Sequence, residues 1–316
     1  MSVLTPRRPG NTGPPPATGT TGDDLVVVPA RHPGRWAAVA LVFVLLAQFA
    51  HGLVTNPGWD WPTFFGYFLE KSVVEALGVT LTLTLAGAVL GFLGGVPLAA
   101  MRLSKNPVLA TVSWTYIWVF RSVPLLVQLL FWANLGYLYE TLQVGIPFGP
   151  GWSFPTVNLI SSFGAALLGL ALHEAAYAGE IIRAGLLSVD AGQHEAAAAL
   201  GIPRRRQFFR IVLPQAMRAI LPNAANLLVN LLKSTSIVYV LAIGELFYQV
   251  QVIYGRSGRV VPLLMVATVW YVILTAALSV LQYYTERYYA RGAVRNLPPT
   301  PLQRLRTAWR TRAAAK

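Results

Sequence analysis

Five or six stretches of this chain are apolar over lengths that can cross a lipid bilayer, and no other feature limits its fold so strongly. A helical span needs roughly 20 apolar residues to cover roughly 30 Å of hydrocarbon. These runs occupy most of the 316 residues, which leaves no room for a separate soluble enzyme domain. Only 12% of the residues are charged, whereas soluble domains carry about 25%. A net charge of +13 on a soluble protein would suggest nucleic acid. Here the Lys and Arg residues fall in loops and tails, so membrane topology accounts for them and no nucleic-acid partner is expected. The chain has no cysteine, which excludes disulfides, thiolate metal sites and cysteine nucleophiles.

The order of segments predicts an all-α membrane protein with about six transmembrane helices. Residues 1–35, rich in Pro, Gly and Thr, read as a disordered tail. That lead-in is long for a signal peptide, so 36–54 reads as an uncleaved span. Residues 55–75 read as an outer interfacial segment, because Trp59, Trp61, Phe64, Phe65, Tyr67 and Phe68 suit the headgroup level. In the next span, 79–101, Gly87, Gly91 and Gly95 share one helix face and allow a neighbour to approach closely. Residues 108–139 would reach about 48 Å as one helix. Pro124 interrupts them, which predicts an amphipathic helix over 108–120 and a span over 124–139. A turn-rich loop through Pro147, Gly149, Pro150, Gly151 and Pro155 follows. Further spans cover 163–187, 223–247 and 261–283, with Glu245 marking the outer end of the second of these. Basic residues gather in the N-terminal tail, at 102–105, in 183–218 and in the tail 291–316. By the positive-inside rule both termini are then cytoplasmic, with Arg256 and Arg259 as outer exceptions.

The longest basic connection, 188–222, holds the main functional signal. Residues 193–200 form an Ala-rich helix. Gly201 permits a sharp change of direction, and Pro203 is placed to begin the next helix. Arg204, Arg205, Arg206 and Arg210 suit anionic lipid. Glu195 beside Ala196 and Ala197 better suits insertion into a protein groove. Both a lipid-lying loop and a docking loop remain open on physics alone.

The motifs narrow the choice. Gln193-x-Glu195-Ala196-Ala197-x3-Gly201-x9-Ile211-x-Leu213-Pro214 resembles the loop with which ATP-binding-cassette (ABC) importer permeases dock onto their ATPase. Phe120-Arg121-Ser122-Val123-Pro124-Leu125-Leu126-Val127-Gln128 resembles a segment of the polar amino acid permeases, with Ser122-Val123 in place of Gly-Thr. Ala176-Tyr177-Ala178-Gly179-Glu180-Ile181-Ile182-Arg183-Ala184-Gly185 is similar to their Ala-Tyr-x-x-Glu-x-x-Arg-x-Gly run. Leu213-Pro214-Gln215-Ala216-x-Arg218 and Leu232-Lys233-Ser234-Thr235-Ser236 continue the likeness, with Ile237 replacing the usual Leu. The resemblance implies a type I importer core of five helices over 76–290, with 36–54 as an added helix. It also implies a bacterial inner-membrane location and a second permease subunit, identical or homologous. Two cytoplasmic ATPase subunits and an extracytoplasmic substrate-binding protein would complete the assembly. No cofactor is expected on this chain, and ATP and Mg would sit on the partner ATPases. None of Lys71, Lys105, Lys233 or Lys316 follows a Gly, so the chain lacks the Gly-Lys pair of a phosphate-binding loop.

The resemblance implies coupling through Gln193, Glu195, Ala196, Ala197, Gly201, Ile211, Leu213 and Pro214. Charges within spans are costly and face a bundle interior or water. That makes Arg121, His173, Glu174, Tyr177, Glu180, Lys233, Ser234 and Thr235 candidate pathway residues. Glu180 and Arg183, three apart, share a helix face and can pair. His173, Glu174 and Glu180 do not have metal-site spacing, and no catalytic constellation is evident. An ion-gradient-driven secondary transporter of a small polar solute is the alternative function, although the halves show no clear repeat.

Overall fold

The computed structural model describes residues 33–146, 149, 151–156 and 161–290. The expected tails over 1–32 and 291–316, and Pro147 and Pro150 of the loop, lie outside the described residues. The chain divides into two units, Met1–Asn56 and Pro57–Lys316. In the first, α1 (Pro33–Thr55) is a 23-residue helix without a polar face. It reaches about 34 Å, enough to cross a bilayer.

The second unit opens with α2 (Trp61–Phe68) and α3 (Lys71–Arg102). Asp60 caps α2 by accepting the Thr63 amide at 3.3 Å and its hydroxyl at 2.7 Å. Glu70 caps α3 through the amide of Ser72. Next come α4 (Pro107–Ser122), α5 (Leu125–Ala133) and the short α6 (Leu135–Leu138). Two antiparallel strands, β1 (Thr141–Gly145) and β2 (Gly151–Pro155), then pair with Thr141 opposite Pro155 and Gly145 opposite Gly151. The remaining helices are α7 (Ser162–Leu187), α8 (Ala191–Ala199), α9 (Arg204–Gln207), α10 (Leu213–Ser234), α11 (Leu246–Ser257) and α12 (Val260–Ala290). A π turn over Phe208–Val212 joins α9 to α10, and a 3-10 segment over Thr235–Leu241 follows α10.

Among the described residues, five helical stretches are long and apolar enough to cross a membrane, or six if the bent pair α4–α5 is one span. That pair turns through 103° at Val123-Pro124, where the sequence predicts a break.

Several expected boundaries move. The span expected from 79 begins at Lys71, because the Glu70 cap precedes the apolar run. The span expected over 124–139 is not one helix: α5 ends at Ala133 and only the short α6 follows. The expected loop after it contains the two strands. The run 223–247 is not continuous either. It breaks into the 3-10 segment and a left-handed Ala242 (φ 55°), after which Glu245 starts α11 instead of ending a span. Glu245 is fully buried and caps α11 through the amides of Phe247 and Tyr248, at 2.9 and 2.6 Å. The outer aromatic segment is also partly core. Phe64 is buried against Val73, Leu246 and Leu263, and Phe68 stacks on Trp270 at 4.9 Å. Phe65 remains exposed.

The closest packing joins α3 to α7. Gly87, Gly91 and Gly95 are all buried. A methyl group at Gly91 would lie 2.5 Å from Cβ of Glu174. One at Gly95 would lie 2.7 Å from Cβ of Ala178 and 2.8 Å from the backbone nitrogen of Gly179. The register 87 to 170, 91 to 174 and 95 to 178 makes the two helices parallel. Within the glycine stripe the backbones therefore meet where side chains would otherwise separate them.

Gly91→Leu and Gly95→Leu should each lower stability by about 1–3 kcal/mol or more, because the added carbons meet backbone that cannot move aside. Gly78→Leu has open space at its Cβ and is the control. Equal melting temperatures for all three in detergent would exclude the close approach.

A second prediction concerns Asp60, which also binds the guanidinium of Arg259 at the start of α12. The Thr63 hydroxyl bond is the main cause holding its carboxyl below the ordinary value of 3.8, with Arg259 adding to it. A depressed folded pKa means that this contribution is complete above pH 3.8 and is lost as pH falls below it. The wild type and Asp60→Asn should thus converge in melting temperature on acidification. Parallel curves would remove Asp60 from the acid response.

Candidate functional site

The residues singled out from sequence fall into three places. The first is the basic loop. Asp190 caps α8 by accepting the amide of Gly192 at 2.8 Å. At the other end, Gly201 takes φ 65°, its amide reaches the Ala198 carbonyl, and the Ile202 amide reaches Ala197. This six-to-one closure with left-handed glycine ends the helix and turns the chain toward Pro203. Gln193, Glu195 and Ala196 are exposed, whereas Ala197 faces inward. Leu200, which caps α8, is 77% exposed and Phe209 of the π turn 57%, so the loop presents apolar groups at its surface. Gln207 lies 3.0 Å from Nδ1 of His194, and Gln215 lies 3.4 Å from Gln193, which ties α8 to the start of α10. Below them Val189, Val212, Ala216 and Ile220 form a small core against the end of α7. Ile211, Leu213 and Pro214 therefore belong to the root of α10, while Glu195 and Gly201 belong to the exposed turn.

The second place is a polar cluster where α5 and α7 meet. Pro124 cannot extend α4, so the last carbonyls of α4 lose their helical partners. The amide nitrogen of Gln128 lies 2.8 Å from the carbonyls of both Phe120 and Val123, and 3.2 Å from Nδ1 of His173. One buried side chain thus closes the bend and reaches the facing helix. Its own carbonyl oxygen is buried without a partner among the described residues. Glu174, 4% exposed, lies one residue on, against Gly91. Its carboxylate forms no ion pair among the described residues. Tyr177 lies under the guanidinium of Arg121 at 5.2 Å, and one turn further Arg183 grips Glu180 at 2.5 and 3.0 Å. The structure thus sets His173, Glu174, Tyr177 and Glu180 along one stretch of α7, with Arg121 of α4 over Tyr177.

The third place, Lys233-Ser234-Thr235, stands apart from these. Thr235 is buried and its hydroxyl donates to the Leu232 carbonyl. Lys233 is exposed in a cavity of about 550 Å3 with Tyr271, Thr275 and Ser279 of α12. Two residues outside the candidate set prove central. Gln128 closes the Phe120–Gln128 motif and stands as a polar side chain in an apolar run four residues after a proline, but neither signal tells what it bonds. Tyr271, which donates to buried Glu245 at 3.1 Å, carries no sequence signal.

Residues 72–291 match the family model for the binding-protein-dependent transport system inner membrane component. The arginine transport system permease protein ArgU of Corynebacterium glutamicum is 39% identical over 306 residues, covering 94% of this chain and 93% of that protein. The glutamate/aspartate import permease protein GltK of Escherichia coli is 35% identical and covers 68% of this chain and 92% of its own length. Among solved structures, a subunit of an amino acid ABC transporter with histidines superposes with a TM-score of 0.59. It is 32% identical and covers 69% of this chain and 94% of its own. The methionine transporter MetNI, at 20% identity and a TM-score of 0.56, shares the fold. The chain belongs to the family of inner membrane components of binding-protein-dependent transport systems, as a multi-pass permease subunit of an ABC importer.

Proposed function

We propose that this permease imports a polar amino acid and is moved by separate ATPase subunits through the exposed face of α8. The carrying observation is the pairing of exposed Glu195, Ala196 and Leu200 with the left-handed turn at Gly201. A short helix with a small-residue face fits a protein groove, and its two ends are tied to α7 and α10. A push on it reaches both spans through Val189, Val212 and Ala216. Gln193, Ala197, Ile211, Leu213 and Pro214 hold that lever in place. The assembly pairs two permease subunits with two ATPases and an extracytoplasmic binding protein. ATP and Mg stay on the ATPases, and both termini are cytoplasmic. Nucleotide-driven closure would select between inward- and outward-open forms, and substrate acts through its different affinity for each.

Solute passes along the α7 face that carries His173, Glu174 and Tyr177, with Arg121 and Glu180 toward its basic end. Lys233, Ser234 and Thr235 lie on the neighbouring α10 side of the path. Arginine is the first solute to test, because the near full-length match is an arginine permease. A buried carboxylate without a cationic partner, Glu174, suits a cationic solute.

With the cognate ATPase and binding protein in proteoliposomes, Glu195→Lys should reduce ATP-driven uptake at least about tenfold, equivalent to about 1.4 kcal/mol of coupling. Gly201→Val should do the same by forcing a β-branched residue into left-handed backbone. Both variants should reach the membrane in normal amount. Normal uptake by both would reject the coupling role, and uptake without any ATPase that collapses with the proton gradient would favour a secondary transporter. Glu174→Gln keeps shape and removes charge. It should raise the KM for radiolabelled arginine about tenfold at unchanged membrane level, and an unchanged KM would remove Glu174 from the path.

A further inference from the structure

Near the basic end of the spans, a cavity of about 390 Å3 opens between α4, the end of α3 and the last turns of α7. Arg102, Trp114, Trp118, Arg121, Tyr177 and Glu180 line it. Its charge is unbalanced. Glu180 is held by Arg183 through two bonds and also feels the charges of Arg121 and Arg102, so one carboxylate faces three guanidinium groups. Arg102 and Arg121 remain, and neither forms an ion pair among the described residues. Arg102 is the last residue of α3, where the helix dipole favours a cation. Arg121 holds its guanidinium carbon 5.2 Å over the Tyr177 ring, a contact that uses none of its N–H groups as a hydrogen-bond donor to that ring. Two guanidinium groups at one cavity make a fork for a phosphate.

The apolar part of the site separates a lipid from a soluble anion. Trp114 and Trp118 stack with planes 9° apart and centroids 6.1 Å apart. They are 49% and 58% exposed. This ledge runs from the cavity along α4 and is wasted on a water-borne phosphate. A phospholipid uses both parts, with its phosphate between the arginines and its glycerol and chains along the indoles. Tryptophan favours this depth, and basic pockets between spans recruit anionic headgroups.

We propose that this cavity is a binding site for an anionic phospholipid drawn from the leaflet at the basic end of the spans. The site is separate from α8 and shares Arg121, Tyr177 and Glu180 with the basic end of the proposed solute path; its test reads lipid retention and does not depend on which solute is carried.

The test uses the transporter purified from its own membrane with the subunits that accompany it. It is placed in nanodiscs of phosphatidylcholine with phosphatidylglycerol, extracted, and analysed by native mass spectrometry. Wild type should retain phosphatidylglycerol in preference to phosphatidylcholine, and saturating inorganic phosphate should not displace it. Each arginine replaced by glutamine should weaken retention about fivefold, from about 1 kcal/mol per basic group at an anionic surface. Arg102→Lys with Arg121→Lys keeps the charge but loses the fork, and should retain less lipid than wild type and more than the double glutamine variant. Equal retention of the two lipids by wild type overturns the proposal without any variant. Displacement by inorganic phosphate, or undiminished retention when both arginines are glutamine, overturns it as well.

Discussion

The parallel contact between α3 and α7 is the constraint on which the permease core rests. In lipid, helices gain little by hiding apolar side chains from one another, so close van der Waals approach has to hold them together. Gly91 and Gly95 supply that approach by letting the α3 backbone meet Glu174, Ala178 and Gly179. The same contact buries Glu174, so the packing that binds the helices also sets a carboxylate inside the span. Structure and site are here one feature.

The bend between α4 and α5 serves a related end. A proline break inside an apolar region strands backbone carbonyls where water is scarce. Gln128 bonds two of them and reaches His173 on α7, so the broken span is tied to the polar cluster. A span interrupted in this way can turn by 103° and carry α4 alongside the ends of its neighbours. That placement forms the cavity between Arg102 and Arg121. The basic loop lies at the same end and is the part that we propose transmits motion from the ATPases. Glycine ends α8 sharply, and the small core around Ala216 fixes its exit into α10.

The N-terminal helix sets this chain apart from the shorter relatives. GltK matches 68% of it, whereas ArgU matches 94%, so the likeness to ArgU extends beyond the family core.

Much was legible in the residue order. Apolar run length announced the spans, because hydrocarbon thickness demands it. Pro124 announced the break, Gly87-Gly91-Gly95 a close neighbour, and Gly201 the end of the loop helix, since each of these is a local backbone property. Glu180 and Arg183 declared their pairing by helical spacing alone. Other features depended on partners far along the chain. No local rule tells that Glu245 caps α11 under Tyr271, that Thr80 accepts the amide of Leu246, or that Phe68 stacks on Trp270. Strands β1 and β2 were hidden because a few residues rich in glycine and proline read equally well as a loop. The sequence by itself determined the apolar spans, the break at Pro124 and the short helix that Gly201 ends, because thickness, turns and spacing act within a few residues. Only the tertiary structure decided which helix meets the glycines and which charges share a cavity, because those pairings arise when distant spans pack side by side.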